Sequence, residues 1–356
     1  MRFLKTTGVL LVLGAVLGSS LAHAQVEEKS KLYYAMDTEA LGPQRVPRAS
    51  VVQRMVDSLI CNLTGKTTVA EGWKTLVSPT DTVGIKVSAS GRNVSGTHPA
   101  VVGAIVKGLQ EAGVPAKKII VWDRNMEDLL AAGFQASGGG YQLVGVDPAS
   151  GYDSKAQVSA PVLGKLIWGD RKFGDTSGMD FSERLGESDQ LSSQSYFARV
   201  LSQEVTKVIN VPSLTDSFLT GINGAIANMT VSNLDNWRRF AKSAAGGDFY
   251  LAEIYADPVI LDKVVVTILD ALVLQYAGGP FPNPNYLIDN LALFASKDPI
   301  AIDATAVRLI DEMRTSSKLP SIRRMTTYVE AGADLGLGQY GESRIETVRV
   351  GVEGLR

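Results

Sequence analysis

The sequence predicts an α/β fold, a mainly parallel sheet with helices on both faces and an irregular insertion at about 148–200. Three observations lead there. Short runs rich in Val and Ile alternate with longer segments whose apolar residues recur at helical spacing. Two of those segments open on a proline preceded by a capping residue, and Gly113 marks the stop of the first. Between residues 82 and 146 the order is strand, helix, strand, helix, strand, which suits parallel strands joined by crossover helices.

The chain begins with Arg2 and Lys5, an apolar run from Gly8 to Leu17, and Ala22-His23-Ala24 before Gln25. This is the layout of a secretory signal peptide. The apolar run is shorter than the roughly 20 residues a membrane span needs, and no twin arginine is present. Cleavage after Ala24 by the general secretion route is therefore expected, with a periplasmic or secreted product. Cleavage leaves 332 of the 356 residues, read as a single α/β domain over 25–356, and the loss of Arg2 and Lys5 takes the formal charge from −2 to −4. No later apolar run reaches membrane length, so no transmembrane segment is expected in the mature chain.

The elements follow in order. Val52, Met55, Val56 and Leu59 mark a helix that holds Cys61 as a buried thiol. Residues 82–87 form a first strand, 88–97 a loop, and Pro99 opens a helix with His98 as its capping residue. Val101, Val102, Ile105, Val106 and Leu109 line that helix, and Gly113 and Pro115 end it. Residues 118–123 read as a strand, 126–132 as a helix and 141–146 as a strand. The period fades over 148–195, where a hairpin is expected near 158–168. Residues 205–211 return to the sheet, and a Gly-rich stretch covers 220–228. Asp257-Pro258 starts a helix to about Lys263, followed by a strand over 264–269 that ends at Asp270. Residues 291–295 form another strand. Asp298-Pro299 caps a helix with Ile302, Ala306, Leu309, Ile310 and Met313 on one face. A polar helix over 321–335 and a strand over 345–350 complete the chain.

Composition narrows the function classes. There are 35 Lys and Arg against 37 Asp and Glu, and 45% of residues are hydrophobic. That excludes a disordered chain and a basic nucleic-acid arm, so no nucleic-acid partner is expected. Cys61 is the single cysteine, which excludes an intrachain disulfide, a cysteine-ligated zinc site and an iron–sulfur cluster. After cleavage His98 is the sole histidine, which excludes multi-histidine metal sites. Gly336-Leu-Gly338-Gln-Tyr-Gly341 matches G-x-G-x-x-G, but it lies between a helix and a strand, the reverse of the dinucleotide order. It reads as a helix C-cap and tight turn.

Candidate site residues fall at the carboxyl ends of strands, where open parallel sheets bind ligands. Lys86 lies at the end of the first strand, followed by Ser88, Ser90 and Arg92, with His98 at the next helix and Asp123 ending the second strand. Asn210 lies near a later strand end, and Asn228 closes the Gly-rich stretch. Lys86, Arg92 and the helix N-terminus at His98 share one sign of potential and suit a small anionic molecule. His98 and Lys86 are the catalytic candidates, with His98 held neutral by the helix end and able to move a proton. Ser88, Ser90, Arg92, Asp123, Asn210 and Asn228 are the ligand-binding candidates. Among the acidic residues Asp123, Asp216, Asp270, Asp298 and Asp303, the pair Asp270 and Asp303 are the candidates for a hard divalent cation. The cofactor is otherwise unknown.

Several strings resemble the bacterial domain-of-unknown-function family 362 (DUF362). They are Val83-Gly-Ile-Lys-Val87 with Thr97-His98-Pro99 and Glu111-Ala-Gly113; Ile209-Asn-Val-Pro212 with Leu219-Thr-Gly221 and Asn228-Met229; Ser296-Lys-Asp-Pro-Ile-Ala-Ile-Asp303-Ala304; and Ala333-Asp-Leu-Gly-Leu-Gly338. The resemblance implies a Rossmann-like fold and a secreted or membrane-proximal setting, with little chemistry attached. It also implies lysines and a histidine in the central block, where this chain has Ser213, Thr215, Ser217 and Ala227. Three functions stay open: an exported enzyme for a small anionic substrate, an exported ligand- or cofactor-binding protein without turnover, and a maturation or scaffold partner in the cell envelope.

Overall fold

The computed structural model describes residues 29–135, 137–146, 151–158, 194–241 and 250–351. The signal segment and the hairpin expected near 158–168 lie outside them, apart from Val158. In chain order the strands are β1 (Ser30–Met36), β2 (Val83–Val87), β3 (Ile119–Asp123), β4 (Gln142–Gly145), β5 (Tyr152–Gln157), β6 (Tyr196–Ala198), β7 (Lys207–Val211), β8 (Ser213–Ser217), β9 (Gly221–Ile222), β10 (Val264–Gln275), β11 (Leu287–Ser296) and β12 (Ile345–Arg349). The α-helices are α1 (Ala49–Thr64), α2 (Val69–Lys74), α3 (Arg92–Ser95), α4 (Pro99–Glu111), α5 (Met126–Ala131), α6 (Ala225–Met229), α7 (Leu251–Tyr255), α8 (Pro258–Leu261), α9 (Pro299–Ser316) and α10 (Thr327–Asp334).

The central sheet runs β12-β1-β11-β10-β7-β2-β3-β4. All neighbours are parallel except β1 with β11 and β11 with β10. This is the mainly parallel α/β architecture expected. Successive residues of a strand face opposite sides, and the cores sort accordingly. Ile85, Val121 and Ile209 pack with α1 and α4 on one face. Trp122, Val208 and Leu269 pack with α6, α7 and α9 on the other. Strands covered on both faces read as continuous apolar runs, and every residue of β2 and β3 is buried. Gly84 is required in β2, because a Cβ there would stand 2.5 Å from the Trp122 ring.

Several elements depart from the sequence reading. β1 and β8 are strands that it did not assign. Of the insertion, β5 and β6 pair as a separate antiparallel two-stranded sheet. Asp270 does not end its strand. β10 continues to Gln275, because antiparallel pairing with β11 runs on to Gln275 opposite Leu287, past an irregularity between Ala271 and Val273. The glycine-rich 336–341 segment follows α10 and precedes β12, as expected of a turn rather than a nucleotide loop. It wraps the Asp298 carboxylate, which caps α9 through Ala301 N at 2.8 Å and also accepts from Gln339 N at 2.7 Å.

Candidate functional site

The strand order reverses beside β2. The chain runs from β2 outward to β3 and β4, then returns to lay β7 on the other side of β2. Ligands of open α/β sheets sit in the crevice at such a switch point, beyond the carboxyl ends of the strands. A cleft of about 210 Å³ lies there. Ser88 and Ser90 follow β2 into it, and Asp123, Arg124, Asn125 and Asp128 follow β3 into α5. Ser217, Thr220 and Asn223 enter from the β8–β9 region. The apolar lining is Leu219, Ala227, Val231, Trp237, Pro280 and Phe281.

Beneath the cleft is a sealed polar network. Lys86 is fully buried. Its Nζ donates to Asp123 Oδ1 at 2.6 Å, Val87 O at 2.7 Å and Asn228 Oδ1 at 3.0 Å, which uses all three ammonium hydrogens. Asn228 donates to Asn210 Oδ1 at 2.8 Å, and Asn210 donates to Ala225 O at 3.0 Å and, more weakly, to Thr267 Oγ1 at 3.4 Å. Asp123 also accepts from Ala89 N at 2.7 Å and Arg124 N at 2.8 Å. Burial holds the Lys86 ammonium below the ordinary lysine range, although Asp123 pulls the other way.

His98 lies elsewhere. It opens α4 on the face opposite Lys86, and both its backbone N, at 2.7 Å, and its Nδ1, at 2.9 Å, meet Asp270 Oδ2. The sequence reading held His98 neutral. Burial does favour the neutral ring, but the charge and hydrogen bond of the Asp270 carboxylate outweigh it and raise the pKa above 6.5. The other oxygen of Asp270 accepts from Leu272 N at 3.3 Å.

The structure therefore separates the predicted site residues. Ser88, Ser90 and Asp123 line the cleft. Lys86, Asn210 and Asn228 lie buried under it. Arg92 is exposed, its Nε 3.4 Å from Asp128 Oδ1. The two cation candidates do not meet. Asp270 serves His98, whereas Asp303, on α9, caps α6 through Ala225 N at 2.5 Å and Ile226 N at 3.0 Å. Burial lifts the Asp303 carboxyl to about 7 against those two bonds. Asp216 accepts from Gly279 N at 2.8 Å. Among the described residues no group of three or more His, Cys, Asp or Glu side chains could hold a metal ion. Each of the three positive elements of the expected anion site has a carboxylate beside it: Asp123 at Lys86, Asp128 at Arg92 and Asp270 at the α4 N-terminus.

Sequence reasoning missed most of the cleft wall. Arg124, Asn125 and Asp128 follow the second strand directly and could have been found from the strand-end rule. Leu219, Trp237 and Phe281 come from segments with no period and carried no such signal.

The sequence model for the family described as "Domain of unknown function (DUF362)" matches residues 83–308, well over half of the chain. The chain belongs to the DUF362 family. The match takes in β2 through part of α9, and so the whole cleft; the Ala333–Gly338 string lies beyond it. No curated protein matches the chain. A structural-genomics crystal structure of a protein from Thermotoga maritima is similar at a TM-score of 0.37 and 10% identity, over 77% of this chain and 60% of that one. The DUF362 chain thus spans about 60% of that protein's length. Among the described residues no helix is long and apolar enough to cross a membrane.

Proposed function

We propose that this DUF362 protein is exported and holds a small molecule in the cleft beyond β2 and β3 without turning it over. The observation that carries this reading is the division of labour at the switch point. The cleft gathers hydroxyl, amide and apolar side chains from separate segments, while the two catalytic candidates stand outside it in buried carboxylate pairs. Small-molecule sites are of this kind, mostly apolar with a few placed polar groups. An anionic ligand is not favoured, because the charged lining groups already hold partners within the protein: Asp123 with Lys86, Asp128 with Arg92, and Arg124 with two backbone carbonyls and the Trp237 ring. Turnover by His98 would require its imidazole to leave Asp270 and reach a substrate.

The binding test is calorimetric titration of the mature protein with a panel of small molecules, beside native mass spectrometry of the protein as purified. Leu219→Trp, which fills the cleft, should abolish any binding found. Binding that persists in Leu219→Trp places the site elsewhere, and turnover that is lost in His98→Gln overturns the non-catalytic reading. Export rests on the signal-peptide pattern at residues 1–24. Amino-terminal sequencing of protein recovered from the periplasm or medium should begin at Gln25, and a full-length cytoplasmic product would refute it.

A further inference from the structure

Resting on that reading, we propose that the ligand is an uncharged planar heterocycle with a lactam-type edge, a ring carrying adjacent hydrogen-bond donor and acceptor groups. Two properties of the cleft point to this class.

The first is the bonding capacity left over after the protein's own hydrogen bonds are counted. Asn125 uses its oxygen to cap Glu127 N at 2.9 Å, which leaves its NH₂ to donate. Asn223 uses its NH₂ on Ser88 and Ser213, which leaves its oxygen to accept. The Ser90 and Ser232 hydroxyls make no hydrogen bond to another described residue and can serve either role. Ser88 and Ser217 accept through their oxygens and keep a hydroxyl hydrogen to donate, so the remaining set is an amide donor, an amide acceptor and several hydroxyls, all neutral. The charged lining is already committed: Asp123 to Lys86 and two backbone amides, Asp128 to Arg92, and Arg124 to the Val231 and Leu234 carbonyls and the Trp237 ring, with Asp235 near enough to feel its charge. A charged ligand would have to displace one of these contacts to find a counter-charge, whereas a lactam edge matches the set.

The second is apolar surface that folding left uncovered. Phe281, in the lining, is 58% exposed, and Phe218 beside it is 57% exposed. Their rings lie 6.5 Å apart. Large aromatic side chains left open beside a cleft mark a surface that a partner covers. With Leu219 and Pro280, Phe281 forms an apolar rim that suits the face of a flat ring. A volume of about 210 Å³ limits the occupant to a small molecule.

Trp237 lines the cleft and supplies the readout. Its emission, excited at 295 nm, is followed as hypoxanthine, uracil, glucose, succinate or inorganic phosphate is added to the mature protein, with Trp237→Phe isolating its signal. Saturable quenching by hypoxanthine or uracil is expected, absent in Trp237→Phe. Phe281→Ala, a change at an exposed side chain, should weaken it about tenfold, equal to ~1.4 kcal/mol of stacking. Calorimetric binding of glucose, succinate or phosphate in place of the heterocycles, abolished by Leu219→Trp, overturns the ligand class and leaves the cleft as the binding site. If none of the five binds, native mass spectrometry decides. A retained planar heterocycle upholds the proposal, a retained molecule of another class overturns the class alone, and an empty protein overturns both readings.

Discussion

Lys86→Met tests the arrangement under the cleft most directly. Methionine keeps much of the stem volume and deletes the ammonium. The variant leaves Asp123 buried with two backbone donors but no counter-charge, and it strips Asn228 Oδ1 and Val87 O of a donor. Breaking a buried ion pair from one side costs ~3–5 kcal/mol, and each stranded acceptor about 1–3 kcal/mol more where it cannot relax. The terms overlap, so a loss of about 4 kcal/mol is expected. Asp123→Asn should cost less, because the amide oxygen still accepts from Lys86 and the ammonium, already held low by burial, can shed its proton, which leaves the Ala89 N–H without its acceptor as the main loss. The double variant Lys86→Met/Asp123→Asn removes both charges together. Its cost should fall short of the sum of the singles by at least ~2 kcal/mol. Urea unfolding near pH 7, followed by far-ultraviolet circular dichroism, measures all four corners of the cycle. Single losses under ~1 kcal/mol, or additivity within ~0.5 kcal/mol, would refute a tightly coupled buried pair.

Three further outcomes follow from geometry already described. The folded-state pKa of His98 is raised, so its contribution is fully present below 6.5 and is lost as pH rises through the folded value. The stability gap between wild type and His98→Gln, measured by urea unfolding from pH 5.5 to 9, should shrink with rising pH, and a gap that widens refutes the Asp270 pairing. Gly338→Ala should cost ~1–3 kcal/mol, because its Cβ would stand 1.8 Å from Asp298 Oδ1; in an Asp298→Ala background, itself ~1 kcal/mol less stable for want of the cap, most of that cost should vanish. Gly84→Ala should lower stability by ~1–3 kcal/mol through collision with Trp122 and Val205, with native-like far-ultraviolet dichroism retained.

The half of the sheet from β2 to β4 was legible because local signals agreed there. β2 and β3 are apolar throughout, Pro99 sits at the first turn of α4, and Gly113, at φ +98°, follows its end. β1 was missed because its partners are β11 and β12, some 260 and 315 residues away in the sequence. β8 reads Ser-Leu-Thr-Asp-Ser, a turn by composition, yet all five residues are buried by tertiary contacts. Lys86 and Asp123 were both singled out as strand-end groups. Their pairing was also accessible, since β2 and β3 are parallel neighbours with Lys86 opposite Trp122, one residue short of Asp123. What sequence could not supply was the face. Lys86 and His98 are close in the chain and point to opposite sides of the sheet, and only the register of β2 with α4 behind it decides that.

The place of β1 carries a consequence for how the molecule is made. Its residues 33–36 pair with 292–295, and residues 30–34 pair with 345–349. The segment synthesised first among these is thus clamped between two of the last. Until residues 292–295 and 345–349 have been made, β1 lacks its two neighbours, and one wing of the sheet stays open while the β2–β4 half can already assemble. Contacts of such separation slow folding, so closure of this wing of the sheet waits for β12.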